Sequence, residues 1–101
     1  MESNDLAFYS AGDLVGLLST KQVSPVELTT LYFDRIDRID SQLHSYLLIS
    51  HDDAIRSAKT AEAALMRGDS VGPLHGLPIA IKDTQMTKDI PTTMGSLVFK
   101  D

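Results

Sequence analysis

Two short apolar runs on either side of an alanine-striped segment restrict this chain more than any other feature. Tyr46, Leu47, Leu48 and Ile49 are continuous and apolar, and Leu77, Pro78, Ile79, Ala80 and Ile81 form a second run that ends at Lys82. Runs of that length without polar alternation read as strands buried on both faces, the pattern of an α/β sheet covered by helices. Pro78 is tolerated because it stands at the start of its strand. Between the runs, Ala54, Ala58, Ala61 and Leu65 recur at helical spacing, a stripe slim enough to lie close on a sheet, and Gly68 follows as its stop. Strand, helix, strand predicts a crossover unit, right-handed if the strands are parallel. Two strands alone cannot satisfy a sheet, so their neighbours are expected from another chain or from a continuation of this one.

Upstream, two helices carry start signals that agree with their periodicity. Ser10 with Asp13 predicts a capped start, Tyr9 and Leu14 are placed to staple it, and Leu14, Leu17 and Leu18 form a short face ending near Thr20. The second start is stronger, since Ser24, Pro25 and Glu27 occupy the N-cap, first-turn and capping-box positions, and Val23 can pack on Leu28. Leu28, Leu31, Tyr32, Ile36 and Ile39 then share one face. The third helix, the alanine-striped one, is expected to be capped by Ser50 or Asp52. Periodicity stops from 83 to 96, a polar, turn-forming stretch of a length that is functional or disordered in compact domains. Leu97, Val98 and Phe99 then open a further apolar run just before Asp101, so the chain reads as interrupted. The resulting organisation is one domain piece: leading helices over 1–44, strand, helix, strand over 45–82, and a loop with the start of the next element over 83–101.

Composition narrows the function. With 101 residues, 43% hydrophobic and 23% charged, the chain is a folding sequence of at most one small domain. Its net charge is −5 and its nine basic residues are scattered, which argues against direct binding of nucleic acid or of an anionic membrane. Absence of cysteine excludes disulfides, a thiolate nucleophile and Cys-based metal sites. The acidic N-terminus does not resemble a signal peptide and no apolar run could span a bilayer, so a cytoplasmic protein is expected. His44, His51 and His75 lack metal-ligand spacing and read as solvated or locally hydrogen-bonded. Asp37 and Asp40, beside Asp34 and Arg38, read as a charged helix face.

Lys82 stands apart from these. Strand alternation puts Leu77, Ile79 and Ile81 on one side and Pro78, Ala80 and Lys82 on the other. A lysine at the C-terminal end of a buried strand, directly before a long polar loop, occupies the place where α/β sheets present catalytic groups. The plain alternative is that Lys82 marks where the strand reaches water, with Asp83 as a surface partner.

The segment Gly72-Pro73-Leu74-His75-Gly76-Leu77-Pro78-Ile79-Ala80-Ile81-Lys82-Asp83, followed by Thr92-Thr93-Met94-Gly95-Ser96, resembles the N-terminal part of the amidase signature family. Val23-Ser24-Pro25-Val26-Glu27-Leu28 and Asp34-Arg35-Ile36 look similar to its leading helices, so the likeness covers nearly the whole chain. The resemblance implies a mixed-sheet α/β/α fold, incomplete here, and hydrolysis of a carboxamide by a serine, cis-serine, lysine triad. Lys82 matches the lysine, and Asp83, Gly95 and Ser96 match positions lining the site. No metal or organic cofactor is implied. The lysine acts as base through the bridging serine and must therefore be neutral. Bringing a lysine from about 10.4 to near 7 costs on the order of 4 to 5 kcal/mol.

The Gly/Ser-rich segment that would carry both serines does not occur in these residues, and Ser57, Ser70 and Ser96 do not sit in its context. Asp89 stands where the family often has glycine, which would alter the turn if positive φ is required there. The chain alone is expected to lack amidase activity and to self-associate through uncovered apolar surface. The alternatives are a non-catalytic interaction module derived from an amidase, or a piece of the A subunit of a tRNA-dependent amidotransferase. His75 and the Pro91-Thr92-Thr93-Met94 sequence favour a broad amidase.

Overall fold

A computed structural model describes residues 6–88 and 90–99, the side chain of Phe99 excepted. The architecture begins with local hydrogen bonds that the sequence encodes. Helix α1 (Ala11–Ser19) starts where the Ser10 backbone is extended and its hydroxyl oxygen accepts from the Asp13 amide at 3.1 Å. Its last turn closes through the Thr20 amide on the Gly16 carbonyl. Lys21 then turns left-handed at φ 61°, and the Gln22 amide reaches back to the Leu17 carbonyl at 2.9 Å. That reversal delivers Val23 and Ser24 to the start of α2 (Pro25–Leu43), where the Ser24 hydroxyl accepts from the Glu27 amide at 3.0 Å. A capping bond of this kind contributes about 1 kcal/mol by satisfying a donor that the first turn leaves without a helical acceptor.

Helix α2 ends at His44, which is left-handed at φ 51° and donates its amide to the Asp40 carbonyl. The Asp40 carboxylate accepts from the next amide, that of Ser45, at 2.7 Å. Helix α3 (His51–Arg67) begins at Ser50, whose side chain makes no capping bond; Asp52 and Asp53 lie inside the first turn instead, where carboxylates favour the helix dipole. The expected cap by Ser50 or Asp52 is therefore not made. Gly68, at φ 75°, stops the helix as predicted, with its amide on Leu65 and the Asp69 amide on Ala64.

The core sits at the junction of α1 with the start of α2. Leu6, Leu14, Leu18, Val23 and Leu28 are buried in one cluster, with Leu17, Leu31, Tyr32 and Leu77 packed against it. The expected packing partners Val23 and Leu28 both belong to it, whereas Tyr9 lies exposed outside it. Burial fades along α2: Ile36 is half-buried and Ile39 exposed. Helix α3 packs on α2, with Ala58 as its buried residue, so the alanine stripe meets a helix and not a sheet. A tilted ring pair, Phe33 with His51 at 4.5 Å between centroids, joins α2 to the first turn of α3, and the Arg35 guanidinium lies 5.1 Å from the Phe8 ring centroid.

No strand forms among the described residues, which departs from the strand, helix, strand expectation. Residues 46–49 are exposed and unpaired, as are Ile79, Ala80, Ile81 and Lys82, and the β pairing present is an isolated antiparallel bridge between Thr87 and Ile90. The reason is that an extended segment becomes a strand only by exchanging hydrogen bonds with a neighbour, and neither run has one here. Leu97–Phe99, expected to open a next element, forms a short 3₁₀ helix. The position of Asp89 lies outside the described residues. The accessible surface of 7496 Å² exceeds the about 5,600 Å² of a compact chain of this mass, and Ile79, Leu97 and Val98 are each more than 80% exposed.

Leu28 is fully buried at the centre of this small cluster. Leu28→Ala is expected to cost about 3 kcal/mol, read as a lower urea midpoint by helical circular dichroism, and a large fraction of the stability of so small a core.

Candidate active-site segment

The segment that carries Lys82 is fastened to the helices before it reaches the lysine. Gly76 is left-handed at φ 84°, and a Cβ there would stand 3.0 Å from Cγ of Pro25 and 3.6 Å from Cδ1 of Leu18. A side chain here would require a left-handed backbone and push the Pro25 ring aside by a few tenths of an ångström, so glycine suits this close approach to the corner between α1 and α2. The neighbouring His75 places Nε2 2.9 Å from the Ala61 carbonyl of α3. A carbonyl only accepts, so Nε2 is the protonated nitrogen of this bond. Leu77 is half-buried against the core, with its amide bonded to the Leu74 carbonyl. His75 is thus hydrogen-bonded, as the sequence suggests, but to a helix fourteen residues away. The clash at Gly76 predicts that Gly76→Ala loses about 2 kcal/mol or more through strain and displacement of Pro25, checked by urea unfolding beside the parent chain.

Beyond Leu77 the backbone runs out to Lys82, which is exposed and has no ion-pair partner among the described residues. Asp83 is not paired with it. A turn brings the Gln85 amide to the Lys82 carbonyl at 3.0 Å, and the loop then returns to Asp83 ten residues later. The Asp83 Oδ1 accepts from the Thr93 amide at 2.8 Å, and Oδ2 accepts from the Gly95 amide at 2.7 Å and from the Thr93 hydroxyl. The Asp83 backbone carbonyl takes the Met94 amide at 3.1 Å. Met94 and Gly95 are consecutive left-handed residues, at φ 52° and 69°, and the bend they make lets the amides on either side of Met94, those of Thr93 and Gly95, reach the carboxylate. Lys82, Asp83 and Gly95 are accordingly brought into one loop closure. Ser96 follows immediately, half-buried, its amide on the Thr93 carbonyl and its hydroxyl oxygen accepting from the Val98 amide at 3.2 Å. No general base adjoins that hydroxyl among these contacts. Thr93 is the residue that sequence reasoning missed; the signal available was an acidic residue with a Thr-x-Gly downstream across one polar loop.

These donors hold the Asp83 carboxyl below its ordinary value of 3.8, the Thr93 hydroxyl first, then the Thr93 and Gly95 amides. The bound form is the ionised one, so the loop's stabilisation is complete above the unfolded value and is lost as pH falls through the lowered one. The Thr93 and Gly95 amide resonances are expected to hold constant from pH 7 down to about 4.5 and to move together below 3.8 in an NMR titration.

Comparison with known proteins places this arrangement in a lineage. The model of the Amidase family matches residues 27–101. The chain is 37% identical over 97 residues to the A subunit of the glutamyl-tRNA(Gln) amidotransferase of Salinispora tropica, covering 96% of this chain and 20% of that protein. It is 38% identical over 96 residues to the corresponding protein of Thermobifida fusca, covering 95% and 19%. It is also 38% identical over 89 residues to a Mycobacterium bovis protein named "Putative amidase AmiD", covering 88% and 19%. The chain therefore spans about a fifth of the length of these relatives. No solved structure matches it. With the family match running through the loop closure around Lys82 and Asp83, the chain belongs to the amidase family.

Proposed function

We propose that this chain carries the lysine end of an amidase site and that Lys82 is its base. The observation that supports the reading is the placement of Lys82: it leaves a segment docked by His75, Gly76 and Leu77 and stands at the mouth of a loop closed on Asp83, within the matched region. In the reaction, neutral Lys82 takes a proton from a bridging serine, which takes one from a second serine. The second oxygen attacks the carboxamide carbon, the C–N bond breaks and the amine departs with a proton, and water then releases the acid from the ester intermediate. Gly95 and Ser96 line the approach to Lys82. The strands expected at 46–49 and 77–82 form when the rest of an α/β body lies against them. Among the described residues nothing strips water from Lys82, and the same covering would do so. The substrate is a carboxamide and the setting the cytoplasm. No described helix is long and apolar enough to cross a membrane.

A second reading is a part of the A subunit of a tRNA-dependent amidotransferase, favoured by the relatives that bear that name. It would add a partner protein while keeping Lys82 in the same role. On either reading the isolated chain associates through exposed apolar residues such as Ile79, Leu97 and Val98.

The purified 101-residue chain is expected to release no ammonia from simple carboxamides. In a protein that joins these residues to the serine-bearing part, Lys82→Ala is expected to lower kcat by about 10²- to 10⁴-fold. Hydrolysis by the short chain that disappears on Lys82→Ala would overturn the assignment of inactivity, and a longer enzyme indifferent to Lys82→Ala would overturn the role of the lysine.

A further inference from the structure

We propose that Asp83 is a positioning residue for Lys82: the cradle of Thr93 and Gly95 holds its carboxylate, so that the acid nearest the lysine in the chain is engaged in closing the loop and not in pairing with the ammonium. This rests on the reading of Lys82 as the base. The geometry comes from one short stretch. Three donors converge on the two carboxylate oxygens, the Thr93 amide on Oδ1 and the Gly95 amide with the Thr93 hydroxyl on Oδ2, while the Met94 amide occupies the Asp83 backbone carbonyl. The left-handed residues Met94 and Gly95 bend the loop so that the Thr93 and Gly95 amides reach the carboxylate while the Met94 amide between them meets the backbone carbonyl of the same residue.

The chemical consequence concerns the lysine. A carboxylate without other partners next to an exposed lysine pairs with it and favours the charged amine, which cannot accept a proton. A carboxylate bound by charge-assisted hydrogen bonds has those lone pairs committed, and moving it to the lysine means breaking three bonds to form one. The same bonds hold Thr93 and Gly95 to the residue that follows Lys82, so the loop closes next to the lysine while the competing acid is withdrawn. Asparagine cannot replace the aspartate: it offers one acceptor oxygen and presents its NH₂ to a donor.

The test uses the 101-residue chain labelled for NMR, following the Lys82 side chain through its own titration. Thr93→Val removes one donor and frees part of the carboxylate, and the Lys82 midpoint is expected to rise by about 0.3 pH units, the size of a weak surface ion pair. Thr93→Ser keeps the hydroxyl and is expected to keep the parent midpoint. In Asp83→Asn, and in Asp83→Asn combined with Thr93→Val, no rise is expected, because the competing acid is gone. Unchanged amide resonances of α1 and α2 establish that each variant is folded. A Thr93→Val midpoint within about 0.1 units of the parent, a Thr93→Ser midpoint as high as that of Thr93→Val, or a rise that persists without Asp83 would each overturn the proposal. These readouts need no turnover, so the failure of Asp83 as a positioning residue and the failure of Lys82 as base are told apart.

Discussion

The corner where α1 turns into α2 is the part on which everything else hangs. Leu14, Leu18, Val23 and Leu28 are buried there, and the reversal through Lys21 and Gln22 that makes the corner possible ends on a serine cap. Pro25 sits at the top of α2 and is itself buried, so its ring offers a hard surface on which Gly76 can rest. Hydrophobic burial in this one place thereby fixes two things far apart in sequence: the direction of α2, and the point from which the lysine-bearing segment departs. A small core can do this because close-packed side chains transmit position as well as energy.

Away from that corner, beside the packing of α3 on α2, the chain is held by individual ties. His75 bonds to α3, Phe33 lies against His51, and the Asp83 cradle closes the loop. The hydrogen-bonded ties are directional, and each joins segments well apart in sequence. Ile79, Ile81, Met86, Met94, Leu97 and Val98 are left facing water, which is the reverse of the usual division of labour between core and loop. The chain that carries this surface spans about a fifth of the length of its relatives.

What the sequence reveals depends on how far apart the cooperating residues lie. Ser10, Ser24 and Gly68 act within one helical turn, so their caps and stops are legible from the residues alone, and so are the faces of α1 and α2. The Ser50 start fails to follow the rule because the first turn of α3 has Asp52 and Asp53 to favour it instead. The two apolar runs read as strands because their composition suits a doubly buried position, but a strand is a relation between two segments, and composition states only one side of it. Lys82 and Asp83 could be singled out from the residues and from the family likeness. That the carboxylate turns to Thr93 and not to its neighbour could not, since the bond spans ten residues and depends on the left-handed pair at Met94 and Gly95.

The two fastenings that flank Lys82 differ in their response to acid. The Ala61 carbonyl receives its proton from Nε2 of His75, and an imidazolium carries that same N–H, so the tether to α3 survives protonation of the ring. The Asp83 cradle has the opposite character, since every donor in it is matched to a negative charge. Acidification thus unfastens the segment from one end only: the downstream closure on Asp83 lets go while the upstream stretch stays moored to the helices, and the lysine then hangs from a segment held on a single side.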